Sequence, residues 1–385
     1  MTNLFRQAKE ILNRLEEAGY ESYIVGGAVR DFLLNNAIHD FDITTSAPIA
    51  AIKRLFPKTI DVAVKHGTVV IFHEGASFEV TSFRGNSLLE DLRLRDFTMN
   101  AMAINSKGII YDPYCGEADI KSKTIRGVEE PQSRFEEDPL RMLRAIRFVS
   151  QLSFTIEEET AMAILTCGDH INKVAIERIT VELEKIWLGK FVEKAFEQFQ
   201  DTKLLAKIDH LRPLQAALQS QKIITMVKKV ASITEVWTLL LFMSNHKEAT
   251  DYLHLMKQSK KIITEVNLIL SRLTSVVECG FSLEDYYYLG LETTMKTERI
   301  RAALSNETAN LRAVELAFSE LPIKVKQELS LSGNDVMLYL NKAEPKTRIG
   351  ELLTIAEKAV VTKKVANEKH AIISWLRKEG FIHAE

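Results

Sequence analysis

The spacing of hydrophobic and polar residues changes near residue 120. Upstream, a helical period over 3–18 is followed by β-branched runs at Ser22–Val25, at Phe41–Thr45 and in the segments IDVAV, TVVIF and SFEVTSF. Downstream, almost every segment has helical spacing. We therefore predict an α+β fold, in which a head with a mixed or antiparallel sheet precedes an elongated all-helical remainder. Breaks in the helical pattern are expected near Pro213, Gly280, Leu321-Pro322, Gly333 and Pro345.

The composition narrows the class of protein. The 385 residues include 50 lysines and arginines and 52 aspartates and glutamates, a formal charge of −2, so a nucleic-acid surface would require local clustering of basic residues. The cysteines Cys115, Cys167 and Cys279 lack metal-type spacing, which argues against a zinc site or disulfide framework. They fit a reducing cytoplasm. The charged N-terminal helix does not resemble a signal peptide, and no stretch is apolar enough to span a membrane.

Two carboxylates in the segment HDFDITT are candidate catalytic groups. Asp40 and Asp42 are two residues apart at the start of a predicted strand, so both side chains should point the same way while Phe41 points into the core. Paired carboxylates bind hard cations such as Mg²⁺, and two such ions can activate a hydroxyl and stabilise a leaving pyrophosphate. Taken alone, the pair would favour a solvated turn before a strand over a metal site.

A glycine turn upstream favours the catalytic interpretation. Gly26-Gly27 follows a strand and opens a helix, where backbone N–H groups and the helix dipole can approach a phosphate, and Arg30 lies one turn further on. A lone Gly-Gly would be an ordinary tight turn. Glu79, in SFEVTSF, is a third candidate catalytic carboxylate, and its alternative is an exposed strand residue.

Further segments complete an ordered set of motifs. They are GGAVRD with HDFDITT, LRDFTMNAMA at 94–103, YDPYCG at 111–116, EDPLRMLRAIRF at 137–148, ERITVELEK at 177–185 and LPIKVKQELSLSGNDV in the last third. In this set the chain resembles the bacterial class II tRNA nucleotidyltransferases, the family of CCA-adding enzymes and poly(A) polymerases. The resemblance implies a polymerase-β-like nucleotidyltransferase head at 1–120, a neck at 121–185 that reads the base, a body at 186–285 and a tRNA-binding tail at 286–385. It also implies two Mg²⁺ ions, the tRNA 3′ end as acceptor, and CTP with or without ATP as donor.

The segment 137–148 is the implied base-reading helix. On one continuous helix, Glu137, Arg141, Arg144 and Arg147 share a polar face, and Asp138 neighbours Arg141. An aspartate only accepts hydrogen bonds and an arginine only donates them, so such a pair can accept cytosine and adenine and reject uracil and guanine. The resemblance assigns this role to Asp138 and Arg141. It places Arg144 and Arg147 at the nucleotide, where we expect phosphate or primer contacts. The alternative is a solvated face with a Glu137–Arg141 pair.

Two departures from the family pattern bear on activity. Arg95 and Asp96 match the ribose motif, but Leu94 stands where the family usually has a first arginine. Between EVTSFR and LRDFT lie only GNSLLEDLR, where full CCA-adding relatives carry a longer flexible loop. This favours addition of two cytidines only, although surface loops vary freely in length. Complete CCA addition, poly(A) synthesis and a catalytically inactive RNA-binding scaffold are the alternatives.

Overall fold

The structure is a computed structural model, and it describes residues 3–38, 40–63, 67–339 and 347–382. The chain divides into two compact units, Met1–Arg212 and Pro213–Glu385. The helix break predicted near Pro345 lies outside the described residues. Among the described helices, none has the length and apolar character that a membrane span requires.

The first unit contains a seven-stranded sheet. Its strands are β1 Ser22–Val25, β2 Asp42–Thr45, β3 Thr59–Ala63, β4 Thr68–His73, β5 Ala76–Ser82, β6 Ala103–Ile104 and β7 Ile110–Tyr111. The order is β3-β4-β5-β2-β1-β6-β7. The β2–β5 pair is parallel and the other pairs are antiparallel, so the sheet is mixed, as predicted.

Helices pack on the sheet and continue the first unit beyond it. They are α1 Asn3–Glu17, α2 Gly27–Leu33, α3 Ile49–Leu55, α4 Leu88–Arg93, α5 Gly116–Ser122, α6 Pro131–Glu137, α7 Leu140–Leu152, α8 Glu158–Cys167, α9 Ile176–Trp187, α10 Val192–Thr202 and α11 Leu204–Lys207. A small parallel pair, β8 Thr124–Ile125 with β9 Thr155–Ile156, lies among them. Short 3₁₀ turns are found at Thr98–Asn100, Gly168–Lys173 and Asp209–Leu214.

The two faces of the sheet have different characters. Ile24, Ile43 and Val80 are cross-strand partners on one face and are almost completely buried, and α1 contacts both β1 and β2. Because successive strand residues alternate between faces, the partners Asp42 and Glu79 lie together on the opposite face. Burial of the aliphatic face therefore fixes the register that pairs these two carboxylates.

The second unit is helical. Its helices are α12 Gln215–Leu218, α13 Gln221–Val227, α14 Ile233–Met243, α15 Ala249–Leu255, α16 Lys260–Cys279, α17 Leu283–Leu304, α18 Leu311–Ser319, α19 Gly333–Met337, α20 Thr347–Val361 and α21 Lys369–Lys378. The pattern did not predict a break within α17, where Gly290 has φ 70° and ψ 167°. Tyr287, before the break, packs in a core with Leu352 and Ile372, whereas Ile300, after it, packs in another core with Leu239. The domain boundaries at 120/121, 185/186 and 285/286 stay predictions.

Candidate active site

The sheet register places Asp42 between two strands that carry site residues. Asp42 is opposite Glu79 in the parallel β2–β5 pair and opposite Val25 in the antiparallel β1–β2 pair. Directly opposite residues have Cβ atoms about 5 Å apart. Asp40 precedes the strand, which begins at Asp42 rather than at Phe41, and both aspartates are exposed. Phe41 is buried, as the alternation predicts.

The carboxylates influence one another electrostatically. The pKa values of Asp42 and Glu79 are both raised above their usual values, and partial loss of hydration is the largest cause at each. At Asp42 the charge of Arg95 opposes this shift and Asp40 reinforces it, whereas at Glu79 both Asp42 and Asp40 reinforce it. A divalent cation would favour the ionised forms. Carboxylate oxygens are the hard donors that Mg²⁺ prefers, so Asp40, Asp42 and Glu79 are candidate ligands.

The glycine turn lies directly against this group. Gly26 precedes α2 and has φ 70° and ψ −133°, a conformation that side chains disfavour. A Cβ atom at Gly26 would lie 3.0 Å from Arg95 Nη1 and 3.4 Å from Asp42 Oδ2. The backbone conformation and the close approach of Arg95 and Asp42 therefore both favour glycine at position 26. The structure brings the predicted turn, Arg95 and Asp42 together.

Arg30 is held by neighbouring side chains. Its Nε and Nη2 donate to the Asp31 carboxylate at 3.1 and 3.0 Å, and Nη1 donates to Asn100 Oδ1 at 2.9 Å. The guanidinium lies 5.0 Å from the centroid of the Phe148 ring. The phosphate contact predicted for Arg30 would require it to exchange or share these partners.

Asp96 is a buried hydrogen-bonding centre. Its Oδ1 accepts from the Phe97 amide and from Asn100 Nδ2, and its Oδ2 accepts from Arg144 Nε at 2.8 Å and Nη2 at 2.6 Å. Burial alone would raise the pKa of Asp96, but the charge of Arg144 together with these hydrogen bonds lowers it below its usual value. Asp96 therefore stays ionised and fixes Arg144, so much of its capacity for a ribose hydroxyl is already occupied.

The prediction of one continuous helix over 137–148 is wrong. Helix α6 ends at Glu137 and α7 begins at Leu140. Asp138, between them, is extended, with φ −142° and ψ 96°. The physical reason is Pro139, whose ring disfavours helical backbone in the preceding residue. Glu137 therefore does not share a helical face with Arg144, although Arg144 and Arg147 do lie on one helix.

The predicted base-reading pair is arranged differently from a helical i, i+3 pair. Asp138 Oδ1 accepts from the Leu140 amide at 3.2 Å, and Oδ2 accepts from Arg178 Nη2 at 2.8 Å. Arg141 Nη2 donates to the Leu94 carbonyl at 2.7 Å. Arg141 Nη1 lies 3.4 Å from Glu137 Oε2, so the pair expected from the alternative interpretation is also present.

Basic side chains of α6 and α7 hold the segment 93–96. Arg134 donates to the Arg93 carbonyl at 3.3 Å, Arg141 to the Leu94 carbonyl, and Arg144 to the Asp96 carboxylate. Burial lowers the pKa of Arg141, and nearby acidic groups oppose that shift. The predicted ribose segment and the predicted base-reading helix are thus joined by direct hydrogen bonds.

Arg147 is also paired within the protein. Its Nε lies 2.6 Å from Glu182 Oε2, and both side chains are largely buried. The Arg147 guanidinium stacks 4.1 Å from the Phe148 ring centroid. A phosphate or primer contact for Arg147 stays a prediction.

Sequence reasoning missed several residues that organise this region. They are Asp91, Asn100, Phe148, Arg178 and Glu182. All but Asp91 fall within the motifs at 94–103, 137–148 and 177–185, so their location was indicated although their contacts were not. Asp91 lies in α4, in the short connection after β5, and it is buried despite its charge.

A second group of potential metal ligands lies elsewhere in the first unit. Glu10, His73 and Glu74 approach one another where α1 meets the β4–β5 hairpin. Arg6 pairs with both carboxylates, and His73 Nε2 is 2.9 Å from Glu10 Oε2. Because Arg6 and His73 already pair with these carboxylates, we interpret the group as an ion-pair network.

Three family models match successive parts of the chain. The Poly A polymerase head domain matches residues 22–126, a probable RNA- and SrmB-binding site of polymerase A matches 153–212, and a putative tRNA nucleotidyltransferase domain 2 matches 228–376. The head-domain match covers the α+β part of the chain, and the other two matches cover the helical parts that follow it.

Similar proteins extend over the whole chain. The CCA-adding enzyme of Geobacillus sp. (strain WCH70) is 38% identical, covering 100% of both chains, and that of Geobacillus kaustophilus (strain HTA426) is 40% identical, covering 98% of both. The crystal structure of Bacillus stearothermophilus CCA-adding enzyme in complex with CTP matches with a TM-score of 0.89 and 37% identity, covering 99% of this chain and 98% of the other. The Thermotoga maritima CCA-adding enzyme complexed with tRNA shares the fold, with a TM-score of 0.70 and 21% identity over 98% of this chain and 96% of the other.

Proposed function

The chain belongs to the family of CCA-adding enzymes, which are tRNA nucleotidyltransferases, and on that basis we propose that it extends the 3′ end of tRNA with nucleotides from CTP and ATP. The reaction needs no nucleic-acid template and releases pyrophosphate. The observation that carries the proposal is the meeting of Asp42 and Glu79 with Gly26 and Arg95 on one face of the sheet.

The carboxylates would hold Mg²⁺. Asp40 and Asp42 are the proposed ligands, and Glu79 is a third carboxylate within the same electrostatic group. When bound, Mg²⁺ supplies positive charge that favours ionisation of the attacking 3′ hydroxyl and neutralises the departing pyrophosphate. Gly26 and Gly27 would let the triphosphate approach the backbone beside these ligands, and the guanidinium groups of Arg95 and Arg30 lie next to the two glycines.

The base would be recognised by Asp138 and Arg141. On its pairing edge, cytosine or adenine presents an amino donor beside a ring-nitrogen acceptor, which suits one acceptor and one donor from the protein. Asp138 Oδ2 now accepts from Arg178, so an incoming base must share or replace that hydrogen bond. Uracil or guanine would leave buried polar groups unpaired, at about 1–3 kcal/mol each.

The extent of addition has two candidate answers. The names of the similar proteins favour complete CCA addition over the CC addition that the sequence predicts. CC addition is the second candidate because only residues 83–87 separate β5 from α4.

One experiment distinguishes these answers. Purified protein is incubated with Mg²⁺, CTP, ATP and a tRNA that lacks its CCA end, and the products are sequenced at their 3′ ends. We expect CCA, and a parallel reaction with ATP and a tRNA ending in CC should add one adenosine. Products that stop at CC in the first reaction, with no addition in the second, would establish the second candidate. A long adenosine tail or no addition at all would contradict both.

A further inference from the structure

A buried carboxylate outside the recognised motifs contacts the site indirectly. Asp91, in α4, is 1% exposed. Its Oδ2 accepts from Arg95 Nη2 at 3.0 Å, and its Oδ1 accepts from the Arg84 amide at 3.0 Å. Arg84 follows the strand that carries Glu79. The Asp91 carboxylate therefore connects the segment after β5 to Arg95, which lies beside Asp42, through two hydrogen bonds.

The local backbone fixes this carboxylate in place. Gly85 has φ 114°, and a Cβ atom there would overlap the Glu90 side chain. The Ser87 hydroxyl accepts from the Glu90 amide at 3.3 Å and begins α4. This tight turn brings Asp91, one turn into the helix, back to the Arg84 amide.

The other end of Arg95 faces the candidate active site. Its Nη1 lies so close to Gly26 that a Cβ atom there would be 3.0 Å away, and the same Cβ would be 3.4 Å from Asp42 Oδ2. The guanidinium is planar and rigid, so a hydrogen bond that fixes Nη2 also sets the direction of Nη1. If Arg95 lost its Asp91 partner, Asp42 would be an opposite charge beside the same glycine, and pairing with it would neutralise a proposed metal ligand.

We propose that Asp91 is a positioning residue, which holds Arg95 so that Nη1 faces the nucleotide bound beside Gly26 instead of pairing with Asp42. This inference rests on the proposed function, and it adds to that function a residue that touches neither nucleotide nor metal. Asp91 acts only through Arg95. Its effect must therefore disappear when Arg95 can no longer donate from both nitrogens.

The test measures CTP binding to the full chain by isothermal titration calorimetry, with Mg²⁺ and without RNA, so that no turnover occurs. Asp91→Asn should weaken CTP binding about 10-fold or more, the effect of losing a hydrogen bond to a charged group. Arg95→Gln should weaken it at least as much. The double variant should bind CTP no more weakly than Arg95→Gln alone, because contacting residues are non-additive. Asp61→Asn, which alters an exposed ion pair with Lys53 on the edge strand β3, is the matched control and should bind CTP as the wild type does.

Two results would overturn the inference. One is wild-type CTP affinity in Asp91→Asn, and the other is additive losses in the double variant, which would mean a general structural role. Where thermal unfolding shows that Asp91→Asn does not fold, Arg95→Lys replaces it. A single ammonium cannot donate to Asp91 and to the nucleotide in the same two directions, so Arg95→Lys should lose CTP affinity while keeping the wild-type unfolding temperature. Wild-type affinity in Arg95→Lys would also overturn the inference.

The outcomes separate this inference from the proposed function. If the wild type extends tRNA but CTP binding does not depend on Asp91, the inference about Asp91 is wrong and the proposed function stands. If the wild type binds CTP in an Asp91-dependent way but adds nothing to tRNA, the proposed function is wrong and the role of Asp91 in CTP binding stands.

Discussion

Asp96→Asn removes the charge of a buried carboxylate and keeps nearly its volume. In the wild type, Oδ2 accepts two hydrogen bonds from Arg144, and Oδ1 accepts from Phe97 and Asn100. An amide has a single oxygen. If that oxygen keeps the contacts to Phe97 and Asn100, the NH₂ group faces the guanidinium of Arg144, and two donors oppose each other. Arg144 then loses its counterion.

The magnitude follows from the exposure of the two partners. Removing one partner of a fully buried ion pair costs about 3–5 kcal/mol. Here the Asp96 side chain is 8% exposed but that of Arg144 is 34% exposed, so water replaces part of the lost interaction. We therefore expect the free energy of unfolding of the unit Met1–Arg212 to fall by about 2–3 kcal/mol.

The assay is urea unfolding at pH 7, with hydrogen–deuterium exchange of α7 peptides as a local measure. Asp61→Asn is the matched control, because Asp61 forms a 2.7 Å pair with Lys53 whose side chains are 47% and 39% exposed. That control should lose less than about 0.5 kcal/mol. An Asp96→Asn loss no larger than that of the control would refute the reasoning, since it would mean that Arg144 does not depend on Asp96.

Three further predictions concern pH, the glycine turn and the base. Because the folded-state pKa of Asp96 is lowered, its stabilisation is present above the unfolded pKa of about 3.9 and is lost as pH falls. In urea unfolding, the difference between wild type and Asp96→Asn should therefore be constant from about pH 7 to 5 and narrow below about pH 4. Gly26→Ala should lower kcat/KM for CTP by about 10-fold or more, because the new Cβ atom displaces Arg95 and strains the turn. Gly75→Ala is the control: Gly75 also has a positive φ but has no neighbour within 4 Å, so this variant should change only thermal stability. Equal kinetic effects of the two substitutions would contradict the prediction. Asp138→Asn should lower kcat/KM for CTP by about 10–100-fold and affect UTP less, and steady-state kinetics showing equal losses would remove Asp138 from base recognition.

The alternation of hydrophobic and polar residues predicts the sheet well because one face of the sheet is consistently aliphatic. Ile24, Ile43 and Val80 are buried at positions that alternate with Val25, Asp42 and Glu79, so the alternation in the sequence already indicates which carboxylates share a face. The strand β1 has the predicted limits, and β2 begins one residue later than predicted.

The errors arose where a single residue overrides a helical period. Pro139 separates α6 from α7 and leaves Asp138 extended, although the hydrophobic spacing continues across it. Gly290 breaks α17 in the same way. Proline and glycine are visible in the sequence, but whether tertiary contacts tolerate them within a helix is not.

Hydrogen bonds between side chains far apart in the sequence could not be predicted from the sequence. Arg178 is 40 residues from Asp138, and Arg144 is 48 residues from Asp96. Both pairs depend on how α7 and α9 pack and on the path of the chain after α4. The motif at 177–185 indicated that Arg178 matters, but only the fold identifies Asp138 as its partner.

The most direct test of the central claim is transfer of labelled CMP from CTP to a tRNA that lacks its CCA end, measured for wild type and Asp42→Asn with tRNA binding followed separately. We expect Mg²⁺-dependent incorporation by the wild type, and incorporation at background by Asp42→Asn with tRNA binding retained. Incorporation by Asp42→Asn at the wild-type rate would contradict the placement of the reaction at Asp42, and a wild-type protein that incorporates nothing would contradict the proposed activity itself.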